Sequence, residues 1–238
     1  MNCIVDRGNT KTKIYFFEKN DLKASLAFMN EEEDAILKAL QNDFDKILVS
    51  ASGNLPNFLV QLRSDQINLS SSTALPIRLN YSSLESLGSD RIALSVGAAF
   101  LYPQRNVLVV SAGTCITYDL LDEAGVFQGG LIAPGAAIRL KSLHEYTYSL
   151  PSLTFEPKEN VPLIGKTTKE CMESGVYNGI KAELSAIIQT FNENYKDLTV
   201  IITGGDGILF DFHMKNKIFA QQNLQAIGLN RILLYNAS

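Results

Sequence analysis

A chain of 238 residues is long enough for one large domain or two small ones. Its hydrophobic content of 46% and charged content of 19% are typical of a globular protein with a sizeable core. The net charge of −4 argues against broad nucleic-acid binding, the apolar runs are too short to cross a membrane, and the N-terminus does not resemble a signal peptide. The three cysteines and two histidines form no zinc pattern, so we expect reduced thiols in a cytoplasmic protein.

The first half of the chain alternates strands with helices, which predicts an α/β sheet covered by helices. The predicted strands are residues 2–6, 12–18, 22–28, 47–50 and 75–79, and the predicted helices start after Asn30 and span residues 57–63 and 92–101. Asn30 is the predicted N-cap of the first helix, and Ser89 or Asp90 is the predicted N-cap of the last one, since these residue types are preferred caps.

Residues 102–106 break the helical pattern and mark the predicted domain boundary, which gives domains of residues 1–104 and 105–238. Beyond the boundary, the sequence predicts a strand–turn–strand unit at 107–121, a helix after Pro134-Gly135, an irregular loop at 151–164, a helix at about 169–194, a strand at 198–202 and a helix at 224–235.

Two strand–turn–strand units resemble each other about half a chain apart. The first contains Asp6-x-Gly8 after an apolar run, and the second contains Ser111-x-Gly113 in the same place. Glycine lets the backbone approach a ligand closely, and backbone N–H groups in such turns can bind phosphate. The duplication predicts two related halves whose phosphate-type turns face one cleft.

Two common nucleotide motifs do not fit. Gly165-Lys166-Thr167 imitates the end of a P-loop, but Asn160 stands where that motif requires its first glycine. The turn at residues 203–207 follows a buried strand but lacks the spacing of a dinucleotide fingerprint. It is either a turn that a ligand approaches or a plain strand-to-helix turn.

An ordered set of motifs resembles the type III pantothenate kinase family. Residues 6–13, Asp-x-Gly-Asn-Thr-x-x-Lys, are similar to its first phosphate motif, and residues 112–119 are similar to its second. Tyr81 with residues 88–91, Gly-Ser-Asp-Arg, resembles its substrate motif. Further matches at residues 129–135, 150–151, 165–168, 174–175 and 203–206 follow the family order.

The resemblance implies an α/β fold of two ribonuclease-H-like, actin-like domains, with mixed sheets flanked by helices and an ATP cleft between them. It also implies a homodimer with pantothenate bound near the interface. The implied reaction is ATP-dependent phosphorylation of pantothenate to 4′-phosphopantothenate, the first step of coenzyme A biosynthesis.

The resemblance also assigns residues to ATP. These are Asp6, Arg7, Gly8, Asn9, Thr10, Lys11, Thr12, Lys13 and Thr114. Asp6 is expected to help hold Mg²⁺, because hard oxygen ligands suit that ion. Arg7 stands where the family commonly has an apolar residue, and its side chain either touches phosphate or faces solvent.

A second set is assigned to pantothenate: Tyr81, Gly88, Ser89, Asp90, Arg91 and Thr168. Asp90 is expected to accept the proton of the primary hydroxyl, a role that contributes roughly 10²–10⁴-fold in typical enzymes. The alternative is that Asp90 only caps a helix. Arg91 is expected to pair with the pantothenate carboxylate or with phosphate.

One position departs from the family pattern. The family has Asp where this chain has Ser111, and that carboxylate is expected to bind the potassium or ammonium ion that these kinases need. Because Ser111 is neutral, two interpretations follow: an active kinase with altered or absent potassium dependence, or a non-catalytic nucleotide-binding or regulatory protein on the same fold. A kinase for another hydroxy substrate is disfavoured, because Tyr81, Arg91 and Thr168 match the substrate side.

Overall fold

The computed structural model describes residues 1–41, 43–60, 62–158, 160–206 and 218–237. The strands are β1 (Asn2–Arg7), β2 (Lys11–Glu18), β3 (Asp21–Met29), β4 (Lys46–Ala51), β5 (Ile67–Asn68), β6 (Arg78–Leu79), β7 (Val107–Ala112), β8 (Cys115–Leu121), β9 (Val126–Pro134), β10 (Thr199–Thr203) and β11 (Ile218–Ala220). The helices are α1 (Glu33–Ala39), α2 (Asn57–Val60), α3 (Ser89–Leu101), α4 (Ala136–Glu145), α5 (Thr168–Asn194) and α6 (Leu224–Asn236).

The chain divides into two compact units. The first contains Met1–Pro103, Gly125–Phe127 and the chain from Asn223 onward, and the second contains Gln104–Ala124 and Gln128–Gln222. The first division point lies next to the predicted boundary at residue 104. The grouping of α6 with the first unit differs from the predicted domain of residues 105–238.

The grouping of α6 follows from its close packing on α3. A Cβ atom at Gly228 would lie 1.7 Å from the Ala93 carbonyl oxygen, and one at Gly97 would lie 2.4 Å from the Leu224 carbonyl oxygen. Only glycine at both positions lets the two helix backbones approach so closely. No local pattern in the sequence identifies α6 as the partner of α3.

The sheet of the first unit has the strand order β3-β2-β1-β4-β5. β1 is antiparallel to β2 and parallel to β4, so the sheet is mixed. Five of the six residues of β1 are buried, which explains why its apolar run does not alternate. One core cluster packs this sheet against α1 and α2; its buried members are Cys3, Val5, Ile14, Phe16, Ile36, Phe44, Ile47, Val49 and Leu59.

The second unit repeats the same strand order, β9-β8-β7-β10-β11. Here β7 is antiparallel to β8 and parallel to β10, as β1 is to β2 and β4. The first residues of β9, Val126 and Phe127, pair with β6 and belong to the first unit. One face of the sheet is covered by α4 and α5, which contribute Leu140, Met172, Val176, Ile180, Leu184 and Ile188 to a second core cluster. The predicted α/β class, with mixed sheets flanked by helices, is therefore confirmed.

Some local predictions are wrong. Asn30 does not cap α1, because Glu32 occupies the N-cap and the helix begins at Glu33. Neither Ser89 nor Asp90 caps α3, because Gly88 occupies that position and both residues lie inside the helix. α2 and β6 are shorter than the predicted ranges 57–63 and 75–79.

Other local predictions are confirmed. The described part of residues 151–164 contains neither helix nor strand, and α5 spans nearly the predicted range. Gly207, the last residue of the predicted turn at 203–207, and His213 lie outside the described residues. Across the described chain, we find no helix that combines the length and the apolar character of a membrane span.

Candidate active site

The first candidate turn joins β1 to β2. Its Gly8 N–H donates to the Lys11 carbonyl at 2.9 Å, and Asp6 lies opposite Lys13 in the antiparallel pair. Residues 9–11 at the tip are exposed. The turn therefore presents backbone groups and a lysine to solvent, next to the carboxylate at the end of β1.

Asp6 is a buried carboxylate. It is only 8% exposed, and its Oδ2 accepts a hydrogen bond from Nε2 of Gln225 at 3.0 Å. Burial raises the pKa of Asp6 to about 6, while the positive charge of Lys13 lowers it and the negative charge of Asp90 raises it. A nearby cation would stabilise the ionised form, so this carboxylate fits a magnesium ligand.

Asp6 is the only acidic residue of its turn. No group of three His, Cys, Asp or Glu side chains within the described ranges could hold a metal ion. Mg²⁺ usually keeps several waters and uses one or two carboxylates together with substrate phosphates. A single buried carboxylate beside a phosphate-type turn satisfies that requirement.

The start of α3 lies next to the same strand ends. Asp6 pairs in register with Ser50 of β4, and Ser50 Oγ donates to Ser89 Oγ at 3.2 Å. Ser89 Oγ in turn donates to the Ala51 carbonyl at 3.3 Å. The first unit thus brings the phosphate motif together with the residue that precedes Asp90.

The half-buried Asp90 side chain lies against Gly88. A Cβ atom at position 88 would come within 2.4 Å of Asp90 Oδ1, so glycine leaves room for this carboxylate. Asp90 is the second residue of α3 and does not occupy its N-cap. The interpretation of Asp90 as the helix cap is therefore wrong.

Arg91 is buried among aromatic rings. It is 5% exposed, and its guanidinium carbon lies 5.7 Å from the Tyr81 ring centroid and 5.6 Å from that of Phe127. The two ring centroids are 5.9 Å apart. Cation–π attraction holds the guanidinium in place. The structure therefore brings Tyr81 and Arg91 of the predicted substrate motif into contact.

Hydrogen bonds from Asn30 and Thr12 hold the first turn in place. Asn30 Nδ2 donates to the carbonyls of Gly8 and Asn9, both at 3.0 Å, and its Oδ1 accepts from Thr12 Oγ1 at 2.8 Å. Arg7 Nη1 donates to the same Thr12 hydroxyl at 3.3 Å. Thr12 is completely buried, so its hydroxyl stabilises the turn through these hydrogen bonds and is not exposed to a ligand.

Arg7 also contacts an aromatic ring. Its guanidinium carbon lies 5.8 Å from the centroid of Phe58, and the residue is half-buried. The hydrogen bond to Thr12 and the contact with Phe58 hold the Arg7 side chain against the protein, so it does not simply face solvent. Neither contact brings the guanidinium to the exposed residues 9–11 at the tip of the turn.

The second candidate turn lies between β7 and β8. Ser111 is half-buried and pairs in register with Thr117 on β8 and Thr203 on β10. Side chains at paired positions leave the same face of a sheet, so three hydroxyls lie side by side. Thr117 is 8% exposed, and its Oγ1 has no hydrogen-bond partner among the described residues. We call Ser111, Thr117 and Thr203 the hydroxyl row.

Backbone contacts from two glycines fix this second turn. A Cβ atom at Gly135 would lie 2.0 Å from the Gly113 carbonyl oxygen. One at Gly204, whose φ is +92°, would lie 2.1 Å from the Ala112 carbonyl oxygen. Gly204 is therefore required by backbone packing, and it brings the turn at 203–206 against the second candidate turn.

Thr168 is the exposed first residue of α5, and its neighbour Thr167 caps the helix. Thr167 Oγ1 accepts from Glu170 N at 3.2 Å, and Glu170 Oε2 accepts from Lys166 N at 2.7 Å. The Thr-x-x-Glu spacing in the sequence is that of a capping box, but here Glu170 reaches one residue past the cap, to the N–H of Lys166. Thr168, Thr114 and Ser111 belong to the second unit, whereas the other predicted site residues belong to the first.

Sequence reasoning missed three residues of the site. Asn30 and Gln225 are separated from their partners by long stretches of chain, and no local pattern marks them. Phe127 could have been noticed, because it lies two residues before the family motif at residues 129–135.

Comparisons with known proteins identify the family. The sequence model of the type III pantothenate kinase family matches residues 2–190. The type III pantothenate kinase of Christiangramia forsetii is 40% identical over 243 residues, covering 99% of both chains. That of Phocaeicola vulgatus is 36% identical over 241 residues, with the same coverage.

The fold also resembles a solved nucleotide complex. The activator of 2-hydroxyisocaproyl-CoA dehydratase from Clostridium difficile, with bound ADPNP, matches at a TM-score of 0.57 and 13% identity. The match covers 99% of this chain and 93% of that one, and it shows the shared actin-like fold alone. By its sequence relatives and the family match, this chain belongs to the type III pantothenate kinase family.

Proposed function

We propose that this protein is a kinase that transfers the γ-phosphoryl group of ATP to pantothenate, giving ADP and 4′-phosphopantothenate at the start of coenzyme A biosynthesis. The observation that carries the proposal is the link from Asp6 through Ser50 to Ser89, which brings the phosphate turn next to Asp90. The family relatives named as type III pantothenate kinases support the same reaction.

The first turn binds the phosphates of ATP. Backbone N–H groups of Asn9 and Thr10 and the charges of Lys11 and Lys13 offset phosphate charge, Gly8 lets the backbone make this turn, and Thr114 of the second turn contributes a hydroxyl. Asp6 holds Mg²⁺, which supplies charge neutralisation of the phosphates when it is bound with ATP. Arg7 and Thr12 support the turn from within, because both side chains are engaged there.

Asp90 is the general base. It accepts the proton of the pantothenate hydroxyl while that oxygen forms the new bond to γ-phosphorus and the bond from γ-phosphorus to the β–γ bridging oxygen breaks. Gly88 gives the Asp90 carboxylate room, and Ser89 fixes the start of α3. We assign Tyr81, Arg91 and Thr168 to pantothenate, with the guanidinium of Arg91 as the partner of its carboxylate or of phosphate.

The hydroxyl row is a poor binding site for the monovalent cation that the family uses. The hydroxyl row offers neutral oxygens where the family has a carboxylate, so its attraction for K⁺ or NH₄⁺ lacks one full charge. We expect a kinase whose activity depends little on either ion. The partnerless Thr117 hydroxyl is an oxygen that a weakly bound cation or a water could contact.

The active form is a cytoplasmic homodimer. Several large apolar side chains of the second unit are exposed, and contact with a second copy would cover them; they include Leu131, Ile132, Leu163 and Ile164. Gel filtration tests this directly, because elution at the mass of a single chain at high concentration would contradict the dimer.

Asp90→Asn tests the kinase assignment. The variant keeps the size of the side chain but cannot accept the proton, so we expect kcat to fall by roughly 10²–10⁴-fold. Asp21→Asn, an exposed residue of the same unit, is the matched control. Product is measured as 4′-phosphopantothenate by mass spectrometry.

If Asp90→Asn keeps kcat within a few-fold of the wild type, Asp90 is not the base. If the wild type itself binds ATP but makes no product in any salt, the alternative of a non-catalytic nucleotide-binding or regulatory protein replaces the kinase.

A further inference from the structure

We propose that Asn30 is a positioning residue that shapes the first turn for the phosphates of ATP. The inference rests on the proposed kinase function but adds a residue outside every motif that carried the family resemblance. Asn30 follows β3 and lies 22 residues after Gly8 in the sequence, and the β2–β3 hairpin brings it to the turn.

Four hydrogen bonds join Asn30 to the turn. Its side-chain amide donates to the Gly8 and Asn9 carbonyls at 3.0 Å each, and its backbone N–H donates to the Thr10 carbonyl at 3.0 Å. Its side-chain oxygen accepts from the Thr12 hydroxyl at 2.8 Å. One residue therefore holds three consecutive carbonyls of the phosphate turn.

The direction of these carbonyls decides where the turn presents its donors. In a planar trans peptide, the C=O of one residue and the N–H of the next point in opposite directions. Because the Gly8 and Asn9 carbonyls point to Asn30, the N–H groups of Asn9 and Thr10 point away from it. Asn30 thus turns the acceptors of the loop inward and its donors outward, which is the arrangement that binds an anion.

The chemistry of Asn30 is specific to this task. Its amide supplies two N–H donors for the two carbonyls and one oxygen for the Thr12 hydroxyl. Aspartate has the same shape but no donor when ionised, and it would bring negative charge close to both carbonyls and to bound phosphate. Asn30 caps no helix, since α1 begins at Glu33 with Glu32 as its N-cap.

The test compares Asn30→Asp and Asn30→Ala with the wild type in steady-state kinetics and in calorimetric titration with ATP. Asn20→Ala is the matched control, because Asn20 lies in the turn at the other end of β2 and its oxygen accepts from Arg231. We expect both Asn30 variants to raise KM and Kd for ATP by about tenfold or more, as the loss of hydrogen bonds that order a binding loop predicts. KM for pantothenate should change less than twofold.

The possible results distinguish a failure of the proposed role of Asn30 from a failure of the proposed kinase function. Values of Kd for ATP within twofold of the wild type in both variants would overturn the role of Asn30. So would equal losses for ATP and pantothenate accompanied by a lower melting temperature, because that pattern indicates general destabilisation. If the wild type binds ATP but makes no product, the kinase proposal fails, while a tenfold weaker Kd in the variants still supports Asn30. If the wild type binds no ATP, both proposals fail.

Discussion

The two candidate turns occupy equivalent places in sheets of the same strand order, yet they are built from different chemistry. The first has the buried Asp6 opposite Lys13, whereas the second has Ser111 between two threonines. The first is held by side-chain hydrogen bonds from Asn30, and the second by backbone contacts at glycine positions. The two sheets share one strand order, and the residues in their turns differ in charge and in the contacts that hold them.

This contrast suggests that charge-dependent chemistry is concentrated in the first unit. Asp6, Lys13, Asp90 and Arg91 all belong to it, and Asp90 influences the ionisation of Asp6. The second turn, at residues 111–115, has hydroxyl and backbone groups and no charged side chain. Removing a charged side chain from the first turn should therefore lower kcat strongly, whereas removing a hydroxyl from the second turn should change kcat little.

The largest expected effect comes from removing the carboxylate of the first turn. Asp6→Asn should lower kcat by about 10²-fold, since loss of one preorganised electrostatic group typically costs that much. Ser111→Ala, the matched change in the second turn, should stay within about threefold. Both are measured at saturating ATP over a magnesium titration, and equal losses in the two variants would contradict the division of roles.

The backbone packing of the second turn predicts a large loss of stability. Gly204→Ala places a Cβ atom against the Ala112 carbonyl at a φ of +92°, so the free energy of unfolding should fall by about 2–4 kcal/mol. Gly205→Ala is the control, because its Cβ would meet nothing within 4 Å. Urea unfolding of both variants measures the difference, and similar midpoints would refute this packing argument.

The buried charge of the first turn predicts a pH-dependent cost. Because the folded-state pKa of Asp6 is raised to about 6, the folded protein binds this proton more tightly than the unfolded chain, and ionisation above pH 6 destabilises the fold. Asp6→Asn should therefore raise the free energy of unfolding at pH 8 by about 1–3 kcal/mol.

That gain should fade between pH 6 and pH 4 and vanish below the ordinary aspartate pKa. Ser111→Ala introduces no titrating change and serves as the control. Denaturant melts without nucleotide, at pH 4, 6 and 8, give the comparison; a gain for Asp6→Asn that is constant with pH would contradict the assigned burial of charge.

A smaller effect is expected from the α6 residue that contacts Asp6. Gln225 donates to Asp6 Oδ2, so Gln225→Leu should weaken the orientation of the carboxylate and raise KM for magnesium-ATP by about three- to tenfold. Gln222→Leu, an exposed neighbour, is the control. Unchanged kinetics in Gln225→Leu would mean that Asp6 is oriented without this hydrogen bond.

The sequence predicted those parts of the molecule that short-range pattern determines. The runs before Asp6 and Ser111 are apolar because both strands are buried, and the glycine two residues later marks each turn, so the two similar units could be recognised from the sequence. The sequence also predicted a helix beginning close to Asp90 and Arg91, although it placed the start of that helix too late and both residues lie inside α3. The contact of Tyr81 with Arg91 was expected only through the family motif.

Long-range contacts account for the rest. Asn30 looked like a helix cap because its residue type and acidic neighbours fit one, but the β2–β3 pairing places it at the first turn. Gln225 is 219 residues from Asp6, and its position depends on the glycine-mediated packing of α6 on α3. No local periodicity encodes either contact, so neither could be predicted from the sequence.

We infer that the kinase works with a charged first turn and a neutral second turn. The most direct test is pantothenate phosphorylation by the wild type and Ser111→Asp in sodium, potassium and ammonium salts at equal ionic strength. We predict that wild-type kcat/KM varies less than about twofold among the salts, whereas Ser111→Asp gains a preference for potassium or ammonium, because a carboxylate restores the missing charge. A wild type that is active only with potassium or ammonium would contradict this account.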